Sequence, residues 1–254
     1  MSTFVGSAGL KLAYAYLNSN PEKNIPKLMD WSDRFDKKNA MEGQRRAIRK
    51  VIEEKDNNWY KLILSMWSDI DPGVRKAFFN NFILNANFIG WPIEEANRKK
   101  YGCNIPWAIL MDPTSACNLK CTGCWAADYG HKLSLSLDEL DHIIEQGKKL
   151  GVYFYLYSGG EPLVRKKDII RLCEKHSDCM FTAFTNGTLI DEEFADEMLR
   201  VKNFVPAILR ALKRPRTRAA VRAHIRPSSA PWRFSSAKNS YSALLFVIRG
   251  ITPR

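Results

Sequence analysis

Residues 209–254 contain no aspartate and no glutamate. They hold 11 lysines and arginines, whereas residues 1–208 set 28 basic side chains against all 27 acids. The formal charge of +12 therefore divides into +11 for the last stretch and +1 for everything before it. Spread evenly, +12 would point to a polyanionic partner; confined to one end, it says little about the body of the chain. Long apolar runs are also missing. No stretch approaches the roughly 20 apolar residues that a membrane-spanning helix needs. The short apolar patch Leu10–Leu17 holds Lys11 and has no basic segment before it, so no targeting signal is expected and the cytoplasm is the expected location.

The composition excludes other classes as well. With 254 residues, 45% hydrophobic and 26% charged, the chain can bury a sizeable core. It is not a disordered, collagenous or small disulfide-stapled protein. Six cysteines in a reducing cytosol point to metal or catalytic use rather than a disulfide framework.

Residues 1–104 read as helical. Met41–Glu54 and Asn58–Trp67 carry helical periodicity. Asp71-Pro72 starts another helix, with Asp as cap and Pro at the first helical position, and its apolar run is expected to end at Gly90. Trp31, Trp59, Trp67 and Trp91 are assigned to core and helix–helix packing.

From residue 105 the pattern becomes alternating strands and helices. Strands are expected at Pro106–Met111, Val152–Tyr157, Met180–Phe184 and Phe204–Ile208. The capping box Ser136-x-x-Glu139 opens a helix that Gly151 closes. A second helix covers Lys167–His176, and Asp191 caps a third. This spacing implies parallel strands, right-handed crossovers and an α/β sheet or barrel. Ligands in such folds bind at the carboxyl ends of the strands. Those ends read DPTSACNLKCTGCW, SGGEP and TNGT.

Cys117, Cys121 and Cys124 form C-x3-C-x2-C on the first of these loops. Thiolates suit both zinc and iron–sulfur clusters. Three cysteines leave one metal position open, and His131 could close a zinc site instead. On the second loop, paired glycines allow the backbone to approach a ligand, and Glu161 can accept a hydrogen bond from an ammonium group. Cys103, Cys173 and Cys179 are expected to be buried free thiols, and His142 and His176 surface or cap residues.

The cysteine motif after strand one, followed by Gly159-Gly160-Glu161-Pro162 after strand two and Thr185-Asn186-Gly187 after strand three, resembles the radical S-adenosylmethionine (SAM) iron–sulfur enzymes. The resemblance covers about residues 105–208. It implies a partial (β/α) barrel, with about four of six strand–helix units, preceded by a helical region. By the same similarity, Cys117, Cys121 and Cys124 would each ligate one iron of a [4Fe–4S] cluster, with SAM chelating the fourth. Gly159, Gly160 and Glu161 would hold the SAM amino group, largely through backbone oxygens, and Thr185 and Asn186 would add SAM contacts. The implied chemistry is that of an oxidoreductase-type enzyme that cleaves SAM reductively to a 5′-deoxyadenosyl radical. An unknown substrate and an electron donor such as a flavodoxin or ferredoxin are implied with it. Where the family commonly has an aromatic residue before the third cysteine, this chain has Gly123, and Trp125 follows the motif.

The sequence thus divides into a helical region (1–104), a partial radical SAM core (105–208) and a basic tail (209–254). The tail loses regular periodicity and is rich in Arg, Ala, Ser and Pro. It reads as a disordered or frameshifted segment. Two rival readings stay open: a non-catalytic zinc or cluster-binding module, and nucleic-acid binding through the tail, with Trp232, Phe234 and Tyr241 interleaved for stacking.

Overall fold

A computed structural model describes residues 3–35, 42–124, 126, 130 and 132–208. The tail, Trp125 and His131 lie outside the described residues, and with them the frameshift, nucleic-acid and His131–zinc readings.

The amino-terminal third is helical: α1 (Thr3–Ser19), α2 (Pro21–Phe35), α3 (Glu42–Glu53), α4 (Asn58–Ser68) and α5 (Pro72–Phe78). The Asp71 carboxylate accepts hydrogen bonds from the Gly73 and Val74 amides, and Pro72 takes the first helical position, as the sequence signal predicts. The expected stop at Gly90 does not occur. A π-helical stretch, Phe79–Ile89, runs directly into α6 (Gly90–Tyr101), which ends at Gly102. Gly90 serves a different need: a Cβ there would stand 2.3 Å from the carbonyl oxygen of Gly151. It marks a helix crossing point rather than a helix end.

Two of the tryptophans assigned to the core are exposed instead. Trp59 is open to solvent, and Trp91 lies under the Arg98 guanidinium, 5.0 Å from its ring centre. Trp67 is half-buried, with the Arg75 guanidinium 5.8 Å from its ring centre. The amphipathic periodicity identified the helices but not which ring each one turns inward.

Four strands follow: β1 (Ala108–Met111), β2 (Phe154–Tyr157), β3 (Met180–Thr185) and β4 (Phe204–Ile208). They pair in parallel in the order β1-β2-β3-β4, with Met111 opposite Tyr157 and Tyr157 opposite Ala183. The crossovers are α7 (Leu137–Leu150), α8 (Lys166–Lys175) and α9 (Glu192–Val201). Two of them start as their sequence signals require: Ser136 and Glu139 form the capping box of α7, and the Asp191 carboxylate accepts the Phe194 amide at 2.9 Å at the start of α9. This is the α/β architecture of a partial (β/α) barrel.

One face of the sheet is sealed by these helices. Met111, Tyr155, Tyr157, Phe181 and Ala183 pack with Leu140, Ile144, Ile169, Leu172, Phe194 and Met198 in one buried cluster. Cys173 and Cys179 are buried there, as expected. Cys103 is not; it is exposed, because it follows the end of α6 at Gly102 on the way to β1. His142 is exposed, and His176 follows α8 as its cap residue but is buried, with its Nε2 2.8 Å from Asp141 Oδ1. On the opposite face Leu110 is 59% exposed.

The helical region covers the amino ends of the strands. Asn81 Nδ2 donates to the carbonyls of Ser177 and Cys179, and Asn85 Nδ2 donates to that of Asp178, just ahead of β3. Phe82 packs edge-on against Phe154, the first residue of β2, and against Trp107, just ahead of β1. The carboxyl ends, where the motif loops lie, are left to those loops.

Candidate metal and cofactor site

Three loops meet at the carboxyl rim, and backbone hydrogen bonds hold them there. The Ser158 amide donates to the Met111 carbonyl, the Gly160 amide to Thr114, and the Glu161 amide to Ala116, at 2.9–3.0 Å. The glycine loop is thereby laid along the segment that leads into Cys117. A Cβ on Gly160 would stand 2.3 Å from the Ala116 oxygen, and one on Gly159, at φ +99°, 2.6 Å from the Thr114 oxygen. Steric exclusion therefore requires both glycines. The close approach anticipated from the sequence is an approach to the cysteine loop itself.

Glu161 joins all three loops. Its side chain is 1% exposed. Oε1 accepts from the Leu163 amide at 3.0 Å and from the Thr185 hydroxyl at 2.6 Å, and Oε2 accepts from the Asn186 amide at 2.8 Å. Three of the four lone-pair positions of a carboxylate are thus engaged by the protein, leaving one on Oε2. The Thr185 hydroxyl is equally committed, since it also accepts the Gly187 amide at 3.0 Å. Asn186 keeps a half-buried side chain at the rim, where its Nδ2 donates to Asn118 Oδ1 at 3.0 Å.

The three cysteines share the loop after β1. Cys117 is partly buried, Cys121 exposed and Cys124 partly buried. The Leu119 amide points at Cys117 Sγ from 3.4 Å, and the Cys124 amide donates to the Cys121 carbonyl at 3.3 Å. Burial pushes the Cys117 thiol up; the Leu119 amide opposes this, and the nearby Glu161, Cys121 and Cys124 add to it. The thiol is thereby held in its neutral form, and a coordinated metal ion would deprotonate it. Among the described residues, no three His, Cys, Asp or Glu side chains already converge as a metal-binding group. The loop after β1 thus carries three free thiols, a soft donor type.

Two supports had no signal in the sequence motifs. The Arg165 guanidinium donates to the Pro113 and Leu135 carbonyls and to Ser134 Oγ, strapping both ends of the cysteine loop. Its Nε pairs with Asp168 at 2.6 Å. Asn118, between the first and second cysteines, reaches the β3-end loop. Basic residues after a glycine motif and an asparagine inside C-x3-C look like solvated loop residues until the fold shows what lies opposite them.

Comparison with known proteins matches residues 111–233 to the sequence model of the Radical SAM superfamily. The chain is 35% identical over 97 residues to an Fe-coproporphyrin III synthase of Methanosarcina barkeri, a segment covering 37% of this chain and 24% of that protein. It is 34% identical over 106 residues to a GTP 3′,8-cyclase of Desulforamulus reducens, covering 38% and 31% respectively. The chain thus spans 24% to 31% of the length of these curated relatives. Among solved structures, Streptococcus suis SuiB bound to S-adenosylmethionine aligns over 48% of this chain and 29% of its own, with 23% identity and a TM-score of 0.40. The family match begins on Met111, the last residue of β1, and takes in every rim loop described above; over that stretch the chain is similar to the radical SAM superfamily.

Proposed function

We propose that the chain holds a [4Fe–4S] cluster and SAM at this rim and is part of an enzyme that generates a 5′-deoxyadenosyl radical. The carrying observation is that the glycine loop is hydrogen-bonded directly onto the segment entering Cys117, while Glu161 ties it to Thr185 and Asn186. Cys117, Cys121 and Cys124 would each hold one iron, leaving the fourth iron for the amino and carboxylate groups of SAM. Bound there, cluster and SAM supply one-electron reductive cleavage of the sulfonium. The protein's own part is ligation, orientation and exclusion of water. Gly159, Gly160 and Glu161 present backbone oxygens for the SAM amino group; the Glu161 carboxylate mainly fixes the loops that carry them. Asn186 contributes its rim-facing amide, and Thr185 sets the position of Asn186 through Glu161.

An acidic one-electron carrier such as a flavodoxin or ferredoxin would reduce the cluster, and the exposed Cys121 marks the side from which it is reached. All six cysteines are free, which suits a reducing cytoplasm. Among the described residues, no helix is long and apolar enough to cross a membrane. The substrate would lie on the sheet face that exposes Leu110.

The test is anaerobic reconstitution with iron and sulfide, followed by analysis for both elements and for 5′-deoxyadenosine after reduction with SAM. The expected result is about four irons per chain, lost on Cys121→Ala, and SAM cleavage. Zinc bound without iron would overturn the reading in favour of a zinc module. Iron without cleavage would make this chain a cluster-binding module only.

A further inference from the structure

We propose that Asn118 is a positioning residue that latches the cysteine loop to the β3-end loop, so that the cluster ligands and the SAM-facing amide of Asn186 are set as one unit. The proposal rests on the cluster-and-SAM reading above. Asn118 immediately follows Cys117 and precedes Cys121 by three positions. Its Nδ2 donates to Thr188 Oγ1 at 2.8 Å, the Thr188 hydroxyl donates to Asn186 Oδ1 at 2.6 Å, and Asn186 Nδ2 donates back to Asn118 Oδ1 at 3.0 Å. The three side chains close a ring in which every donor points the same way round. Each group donates and accepts at once, the arrangement in which hydrogen bonds polarise and strengthen one another.

The ring joins parts of the chain some 70 residues apart, directly beside Cys117. On one side it is continuous with Glu161, which holds the Asn186 backbone amide. On the other side Asn118 borders an open groove of about 570 Å3, lined also by Leu163, Val164, Lys167 and Leu189. The glycine-loop amides and Arg165 hold the ends of the cysteine loop, and the latch adds a hold within it, beside Cys117. Asn118 and Thr188 are both exposed, so removing either leaves no buried group unpaired. Exposed side-chain hydrogen bonds add little to global stability, which separates a positioning role from a role in folding.

The experiment uses the full chain with Asn118→Ala, Thr188→Ala and the double substitution, reconstituted anaerobically. Iron content should stay at the wild-type level, because all three thiols remain. The apparent dissociation constant for SAM, read from its perturbation of the reduced cluster's electron paramagnetic resonance spectrum, should rise roughly tenfold in each single variant, with the double variant no worse. The cluster midpoint potential should shift in the same three variants. Wild-type SAM affinity and potential in Asn118→Ala, or additive effects in the double variant, would overturn the latch. Should the wild-type chain take up no iron, the cluster reading fails and the latch is decided on the apo-protein. Amide hydrogen exchange across residues 117–124 should then be about tenfold faster in Asn118→Ala, and unchanged exchange overturns it.

Discussion

The Thr185 hydroxyl donates to Glu161 Oε1 across 2.6 Å, in a place where neither side chain reaches solvent. This contact makes the glycine-loop glutamate a structural hub before any ligand is considered. Leu163, Thr185 and Asn186 all present donors to one carboxylate, and each sits on a segment with its own task. An amide cannot serve all of them. Whichever way the side chain of Glu161→Gln is turned, its NH2 faces the backbone N–H of Leu163 or of Asn186. One buried donor is then orphaned, at a cost of about 1–3 kcal/mol. Urea unfolding should show that loss without a change in slope. A variant as stable as the wild type would mean that the three contacts do not hold the rim together.

Gly160→Ala tests the apposition of the glycine and cysteine loops. The added methyl would stand 2.3 Å from the Ala116 oxygen and 2.5 Å from that of Ser115, both of them backbone atoms that no rotamer change can move. The loops must part, breaking the Glu161 amide–Ala116 bond that leads into Cys117. The expected stability loss is about 1–3 kcal/mol. Iron uptake should fall as well, although no sulfur ligand has been touched. Full iron uptake at wild-type stability would show that this loop contact is dispensable.

The strands, the caps at Asp71, Ser136 and Asp191, and the three rim loops were all legible in the sequence, because each depends on local pattern or local chemistry. The fourth strand, Phe204–Ile208, falls where five residues alone placed it. What could not be read was set by partners distant in sequence. Gly90 looked like a helix end because only the opposing Gly151 carbonyl explains it. Trp59 and Trp91 looked buried because ring size suggests a core, while exposure depends on which neighbours the helices find. Glu161 looked like a ligand for an ammonium group, and most of its capacity serves Leu163, Thr185 and Asn186. Asn118 and Arg165 carried no signal, since their partners lie about 70 and 30–50 residues away. The helical region could have been placed over the rim or beneath it, and Asn81, Asn85 and Phe82 put it beneath.

That placement buries a carboxyl group whose ionisation can be followed. Glu94 of α6 has a side chain with no exposure and neither oxygen hydrogen-bonded, although Arg98 Nη2 lies 3.5 Å away. Burial raises its pKa above the usual carboxylate range; Arg98 works against this and Glu95 adds to it. A group with a raised folded-state value binds its proton more tightly in the native protein. Its contribution to stability is therefore fully present below the ordinary carboxylate range and is lost as pH rises through the raised value. Glu94→Gln keeps the shape and removes the charge. Arg98 is not stranded by the change, since it also pairs with Glu95 and donates to the Ile105 carbonyl. The variant should be more stable than the wild type at neutral pH by about 1 kcal/mol, with the gap closing as the pH falls toward about 4. Urea midpoints measured across that range test the sign directly. A difference that does not change with pH would mean that Glu94 does not ionise at the helix–sheet junction.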